Sequence, residues 1–242
     1  MKRFSKLVIN NLFKMFTVKR LAIIAAVYIF LNFITNKLFR IDTFIDLITF
    51  SFYGGKDLTD RPIITLTFIA VQVLLMYINL SFIHEELNVR IKLIICRIKS
   101  KNSWINGMFI SILIFCFIYF FIGIIILILL NRDIIQSKLE IIYSLKILIL
   151  LVLWSFSISL ICFLLIIIIK KQTIIFTIIV FMYYIAISIE DIISKYFIFS
   201  QGVLAKHYFY NITFKWSCYF SIIISMIMYV VIRNILLRRD VC

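Results

Sequence analysis

The chain alternates long apolar stretches with short polar ones. Six of the apolar stretches approach or reach the roughly 20 residues that a helix needs to cross the hydrocarbon core of a bilayer. We therefore predict an all-α, polytopic membrane protein with six transmembrane helices in one transmembrane domain, residues 1–242. The predicted spans are about 21–38, 63–82, 107–130, 147–169, 173–189 and 216–236.

Composition excludes a water-soluble globule. Hydrophobic residues make up 64% of the chain and charged residues only 15%, whereas soluble domains are about half apolar and about a quarter charged. The net charge of +15 would indicate a nucleic-acid partner in a soluble protein. In a membrane protein its distribution between the two sides has to be considered first.

Six spans place the connecting segments alternately on two sides, and the basic residues are unequally divided between them. One side, comprising the two termini and segments 83–104 and 170–171, carries 16 basic and three acidic residues, whereas the other carries ten and eight. By the positive-inside rule both termini are cytoplasmic, in a multi-pass protein of the cell membrane. The excess charge is thereby explained as an orientation signal, and we expect no nucleic-acid partner.

Residues 1–20 have the periodicity of an amphipathic helix. Leu7, Val8 and Met15 lie on an apolar face, and Lys6 and Lys14 lie on the opposite face. We expect an interfacial helix whose apolar face contacts lipid, with each lysine near anionic head groups contributing about 1 kcal/mol. The alternative is a basic tail that only fixes the topology.

The segment between the second and third spans is the only sizeable cytoplasmic connection. Its apolar residues recur at helical spacing from Ile83 to Ile98. The segment is therefore predicted to be a charged helix that docks on a cytoplasmic partner, or else one that simply continues the second span into water. The candidate docking residues are Glu85, Glu86, Arg90, Lys92, Arg97, Lys99 and Lys101.

Two outer segments are too polar to span the membrane and too apolar to be free loops. We expect residues 39–52 to lie along the outer surface. For residues 190–215 we expect a short interfacial or re-entrant helical pair, with an ordinary aromatic belt as the alternative.

Within the predicted spans the polar residues are few. Asn32, Gln72 and Asn79 lie at membrane depth, where each needs a partner or a cavity, and they are candidate pathway residues. No Asp, Glu, Lys or Arg lies near the middle of a span, which disfavours a proton- or sodium-coupled transporter. The serines spaced by four in the fourth and sixth spans favour close helix packing.

The sequence offers no nucleotide-binding, cofactor-binding or metal-binding motif. The five cysteines have no CxxC or Cys/His spacing, and Gly54-Gly55-Lys56 lacks the spacing of a phosphate-binding loop. We therefore expect no enzymatic activity and no cofactor in this chain alone.

One short motif resembles a membrane-embedded protease. Glu85-Glu86 followed by Arg90 is similar to the first motif of the CAAX-processing and bacteriocin-processing endopeptidases. Those enzymes also need histidines at membrane depth. This chain has only His84 and His207, which are predicted to lie on opposite sides.

As a whole the predicted architecture resembles the membrane subunit of the type-2 ABC exporters, in the small bacterial class that exports peptides or bacteriocins or confers immunity to them. The resemblance covers the order of elements along the chain. Its most local part is Arg97-Ile98-Lys99-Ser100-Lys101-Asn102-Ser103-Trp104 leading to Gly107, which is similar to the entry to the third span in such permeases.

The resemblance implies that this chain works with partner proteins. In that family two membrane subunits, identical or different, pair with two cytoplasmic ABC ATPases, which bind the ATP. Residues 85–101 would be the coupling helix and residues 1–20 the elbow helix. The expected substrate is an amphipathic peptide or lipid-like molecule, and a non-transporting membrane scaffold or immunity protein is an alternative.

Overall fold

The computed structural model describes residues 2–39, 41–55, 62–90, 100–134, 138–189 and 193–238, and all regular secondary structure in these ranges is helical. A π-helical turn at Glu86–Arg90 continues the fourth helix, and 3₁₀ turns lie at Arg132–Ile134 and Ile198–Ser200. The helices are α1 (Lys2–Met15), α2 (Val18–Leu38), α3 (Phe44–Ser51), α4 (Pro62–Glu85), α5 (Lys101–Leu130), α6 (Lys138–Ile169), α7 (Gln172–Ser188), α8 (Ile193–Tyr196), α9 (Leu204–Phe209) and α10 (Phe214–Arg238).

Five of the described helices are long and apolar enough to cross a membrane. They are α2, α4, α5, α6 and α10. The predicted fifth span is also a helix, α7, but its 17 residues extend only ~26 Å, slightly less than the ~30 Å hydrocarbon core. The sequence thus predicts where the apolar helices lie, whereas the count of long ones is five rather than six.

The N-terminal helix packs on protein along its apolar face. Leu7 contacts Gly107, where an added β-carbon would lie 2.5 Å from the leucine side chain. Asn11 donates a hydrogen bond to Ser111 (Nδ2–Oγ 3.2 Å). Leu7 and Asn11 contact Gly107 and Ser111 in the same order along the chain, so α1 runs in the same direction as α5. The expected amphipathic helix is present, but its apolar face is covered by α5, and Phe13 on another face is 73% exposed.

Helix α6 lies at the centre of the bundle, where it packs against α4, α5, α7 and α10. At its end Lys170 adopts a φ of 60°, a left-handed conformation that terminates a helix, and α7 begins two residues later. This is the tight hairpin that the short polar interval predicts. On α10, Ser217 and Ser221 are fully buried, as expected for small residues at a close helix contact.

The contacts at the two termini of α7 identify the two ends of the bundle. At its first residue Gln172 donates to Ser81 (Nε2–Oγ 2.8 Å), next to the end of α4. At its other end Lys206 donates to the Ile187 carbonyl (Nζ–O 2.8 Å). We call these the predicted inner end and the predicted outer end.

The segment after α2 is less exposed than expected. Thr43 caps α3, accepting a hydrogen bond from the backbone N–H of Asp46 at 3.2 Å. Phe44, Leu47 and Ile48 are buried, and α3 packs against α2, α5 and α6. One face of α3 therefore forms part of the core at the predicted outer end, whereas Asp46, Thr49 and Phe50 on its other side are half-exposed.

Candidate functional site

An ion pair joins the N-terminal helix to the base of α4 at the predicted inner end. Lys14 Nζ lies 2.6 Å from Glu86 Oε1. The side chain of Glu86 is 1% exposed and that of Lys14 is 30% exposed. Because a charge this deeply buried requires a charged partner, the pair fixes α1 against the π-helical turn.

Four of the seven predicted docking residues belong to the described residues at this end. Glu85 closes α4, Arg90 closes the π-helical turn, and Lys101 begins α5. Glu86 points into the protein toward Lys14 and not toward a partner. Lys92, Arg97 and Lys99 lie outside the described residues.

Two of the predicted pathway residues, Gln72 and Asn79, lie inside the bundle. Both are fully buried on α4 and bond to α6. Ser155 donates to Gln72 (Oγ–Oε1 3.2 Å), and Asn79 donates to Ser159 (Nδ2–Oγ 2.8 Å). The Nε2 of Gln72 and the Oδ1 of Asn79 have no partner in the described part of the chain. Each amide therefore retains unused hydrogen-bonding capacity in an apolar interior.

The third predicted pathway residue, Asn32, lies apart from the other two. Asn131, just after α5, donates to it (Nδ2–Oδ1 2.7 Å). Asn36 in turn donates to Asn131 at 3.1 Å. The three asparagines join the end of α2 to the end of α5, so Asn32 has a structural partner at the predicted outer end.

The segment between α7 and α10 folds over the predicted outer end around Gln201. The two short helices α8 and α9 confirm the predicted helical pair. Gln201 Nε2 donates to the carbonyl of Lys195 at 2.8 Å, and its Oε1 accepts from Ser217 at 2.7 Å. Trp154 on α6 donates to the Ile198 carbonyl at 2.7 Å. We call residues 193–213 the outer cap.

Lys206 in the outer cap stabilises the end of α7. The residue is fully buried, and its Nζ donates to the carbonyls of Ile187 at 2.8 Å and Ile189 at 2.6 Å. An ammonium group suits this position because the last carbonyls of a helix carry partial negative charge. Nothing in the sequence distinguishes Lys206 from a lysine in solvent. Likewise, nothing in the sequence distinguishes Gln201 from a glutamine in solvent.

Burial in the outer cap lowers the pKa of His207, an effect that its hydrogen bond with the Gln201 carbonyl partly opposes. The Nε2–H donates to that carbonyl at 2.7 Å, because a carbonyl oxygen can only accept a hydrogen bond. The ring nitrogen also lies 3.2 Å from the Ser217 hydroxyl.

The lowered pKa of His207 predicts a pH-dependent loss of stability. The unfolded histidine takes up a proton near its ordinary pKa of 6.5, whereas the folded one does so only at lower pH. The free energy of unfolding should therefore fall as pH drops through 6.5. Thermal unfolding in detergent at pH 7.5 and 5.5 measures this fall, which should be smaller in His207→Gln; an equal fall in both proteins would contradict the assignment.

An open cavity of about 780 Å³ lies between the outer cap, α3 and α6. We call it the outer cavity. Lys146 and His207 are its basic residues, and Asn32, Gln72 and Asn79 do not line it. Its aromatic lining residues are Phe39, Phe50, Tyr53, Tyr143, Tyr208 and Phe214. This cavity was not predicted, because its lining comes from three stretches of the chain that are far apart in sequence.

The two histidines lie at opposite ends of the bundle. His84 is on the last turn of α4, near the start of α7, and His207 lies in the outer cap. The ~26 Å length of α7 separates the two ends. Among the residues that the structure describes, no three His, Cys, Asp or Glu side chains form a group that could hold a metal ion.

No protein-family model matches this chain, and no curated protein matches it significantly. Three features of the described residues are the candidate functional sites. They are the ion pair at the predicted inner end, the buried amides of α4 and the outer cavity.

Proposed function

We propose that this chain is the membrane subunit of an ATP-driven exporter of the type-2 ABC kind, which moves an amphipathic peptide or lipid-like substrate out of a bacterial cell. The observation that supports this best is the Lys14–Glu86 pair. It links an N-terminal helix to the start of the charged segment between two long apolar helices. Such a link would let force applied to that segment reach the rest of the bundle.

In this proposal a separate cytoplasmic ATPase docks on residues 85–101. Glu86 is the inward anchor of that segment, since its side chain is buried against Lys14. Docking then falls to Glu85, Arg90, Lys92, Arg97, Lys99 and Lys101. ATP-driven closure of the ATPase pair would displace α4 and α5 at their inner ends, because the docking segment joins these two helices.

We also propose that α7 completes a six-span topology with both termini in the cytoplasm. At 17 residues it is at the short end of the range for a spanning helix. Lys170 and Lys171 precede it, and Lys206 covers its last carbonyls. The membrane around α7 can thin slightly to match its length, which costs a fraction of a kcal/mol per Å.

The substrate path in this proposal passes Gln72 and Asn79. Their free amide atoms would satisfy a polar group of a passing substrate, whereas the surrounding apolar bundle suits its hydrophobic part. Asn32 would contribute at the outer exit, beside Asn131. A second membrane subunit, identical or related, would complete the path.

The test is a triple charge reversal, Arg90→Glu with Lys92→Glu and Arg97→Glu, in cells that carry the native partner proteins. We expect normal insertion but loss of most coupled ATP hydrolysis and export. Insertion should persist because the inner segments keep a net charge of +7 against +2 outside, as reckoned from the sequence.

The matched control reverses three exposed charges at the predicted outer end, Lys37→Glu with Arg132→Glu and Lys215→Glu. It should leave ATP hydrolysis unchanged. Equal activity of the two triple variants would contradict the coupling role. Peptide processing that is abolished by Glu85→Ala and needs no ATPase would instead favour the protease, and protection that survives ATPase inactivation would favour the immunity protein.

A further inference from the structure

The outer cavity has the size and lining of a ligand site for an amphiphile. Its volume of about 780 Å³ lies within the range of roughly 300–1,000 Å³ that is typical of small-molecule sites. Stacked rings of Phe39 and Phe50, with centroids 4.0 Å apart, form part of its apolar lining. Most of the remaining lining is also aromatic or aliphatic, so the cavity offers a large apolar surface to one end of a ligand.

Three polar residues of the cavity lining, Lys146, Tyr143 and Thr49, come from α6 and α3. Tyr143 lies one turn before Lys146 on α6, so both side chains occupy the same face of the helix. The Tyr143 hydroxyl is 3.4 Å from the Thr49 hydroxyl. Lys146 is exposed and forms no ion pair with any residue that the structure describes. One cation and two hydroxyls therefore face the cavity together, an arrangement suited to an anionic oxygen group.

The length of α6 places Lys146 at the level of lipid head groups. If Ile169 marks the inner boundary of the hydrocarbon, next to Lys170 and Lys171, then ~20 residues of helix fill its ~30 Å thickness. Hydrocarbon then ends near residue 150 of α6. Lys146 lies ~6 Å further along the helix, where phosphate groups of the outer leaflet are found.

Beside Lys146, helix α6 carries an exposed apolar surface. Ile142, Leu145 and Ile149 on α6 are 51%, 48% and 52% exposed. They form an apolar stripe that lipid tails would cover in a membrane. A molecule already in the outer leaflet could enter the cavity along this stripe without crossing water.

We propose that the outer cavity binds an anionic phospholipid, with its phosphate at Lys146, Tyr143 and Thr49 and an acyl chain along the aromatic lining. The depth of Lys146 and the adjacent apolar stripe favour a lipid over a peptide arriving from solution. Binding requires no ATPase and does not depend on the proposed function. Only a role of the outer cavity in substrate entry or exit rests on the proposed function.

The experiment measures binding to the purified full chain in a mild neutral detergent. Native mass spectrometry counts bound lipid during titration with dioleoylphosphatidylglycerol, with dioleoylphosphatidylcholine as the zwitterionic comparison of equal chain length. Lys146→Gln should weaken phosphatidylglycerol binding about tenfold, the equivalent of one charge-assisted hydrogen bond of ~1.4 kcal/mol. Phosphatidylcholine binding should change less than twofold.

The matched control is Lys215→Gln, another exposed lysine at the predicted outer end that does not line the cavity. It should bind phosphatidylglycerol as the unaltered chain does. In a second variant, Leu204→Trp, the larger side chain would narrow the apolar part of the cavity, so binding of both lipids should weaken. Thermal unfolding identifies any variant that fails to fold.

Three results would overturn the proposal. The first is equal phosphatidylglycerol affinity of Lys146→Gln and Lys215→Gln. The second is binding of inorganic phosphate alone as tightly as the phospholipid, which would make the site a simple anion site. The third is tighter binding of an anionic amphipathic peptide than of phosphatidylglycerol. None of these measurements involves ATP, so loss of coupled transport in the charge-reversal experiment leaves the lipid site standing.

Discussion

Replacing Lys14 with glutamate is expected to destabilise the purified protein by about 3 kcal/mol, because it would place a second carboxylate beside the buried carboxylate of Glu86. This value is at the lower end of what breaking a buried ion pair costs, since Lys14 is 30% exposed and water can reach part of it. Thermal and chemical unfolding in detergent measure the effect. Loss of the pair should also loosen α1 from the end of α4, which hydrogen exchange of residues 4–16 would detect.

A swap of the two charges distinguishes the effect of the Lys14–Glu86 ion pair on stability from the effect of each residue's surroundings. Glu86→Lys should be destabilising like Lys14→Glu, and the double variant should recover most of the lost stability because the two charges again have opposite signs. Lys6→Glu is the matched control, since Lys6 is exposed on the same helix. A double variant no more stable than either single one would show that the pair does not hold α1 in place.

Replacing Gly202 with alanine is expected to have a similarly large effect, about 3 kcal/mol, through steric overlap. A β-carbon at Gly202 would overlap the indole ring of Trp154. The ring cannot move aside easily, because its Nε1 donates to the Ile198 carbonyl at 2.7 Å and Phe68 stacks against it with centroids 6.0 Å apart. The outer cap would have to lift from α6, and unfolding in detergent would show a lower Tm.

A second variant replaces the Trp154 side chain, which obstructs a β-carbon at Gly202. In the Trp154→Leu background the smaller side chain leaves room for a β-carbon, so Gly202→Ala should cost much less there than in the unaltered chain. Limited proteolysis within residues 193–213 gives an independent measure of whether the outer cap has lifted. An undiminished cost of Gly202→Ala in the Trp154→Leu background would mean that the contact with Trp154 is not its cause.

Hydrophobic periodicity predicts where the helices lie but not what covers each apolar face. The pattern in residues 1–20 is satisfied equally by lipid and by α5, and the fold selects α5 through the close approach at Gly107. The same ambiguity explains α3, whose Phe and Ile residues are equally typical of an outer surface and of a core. The helical pair at 190–215 is recognisable because a semi-polar segment in a membrane protein must satisfy its own backbone.

The site residues that the sequence did not single out depend on tertiary contacts between distant segments. Glu85 and Glu86 are equivalent in sequence, and only the π-helical turn and the position of Lys14 make Glu86 the buried one. Lys206 contradicts the usual expectation that lysines are solvated, because two carbonyls at the end of α7 replace its water. Lys146 is an ordinary basic residue until α3 and the outer cap enclose the space beside it.

The proposed docking of an ATPase on the segment between α4 and α5 is tested most directly by site-specific photo-crosslinking. A photoreactive amino acid replaces Lys92 in cells with the native partners, and the matched position is Lys37, exposed at the predicted outer end. We predict a crosslinked protein from position 92 that also labels with a photoreactive ATP analogue, and none from position 37. Crosslinks from position 92 only to lipid, to the chain itself or to a protein that does not bind ATP would contradict the claim.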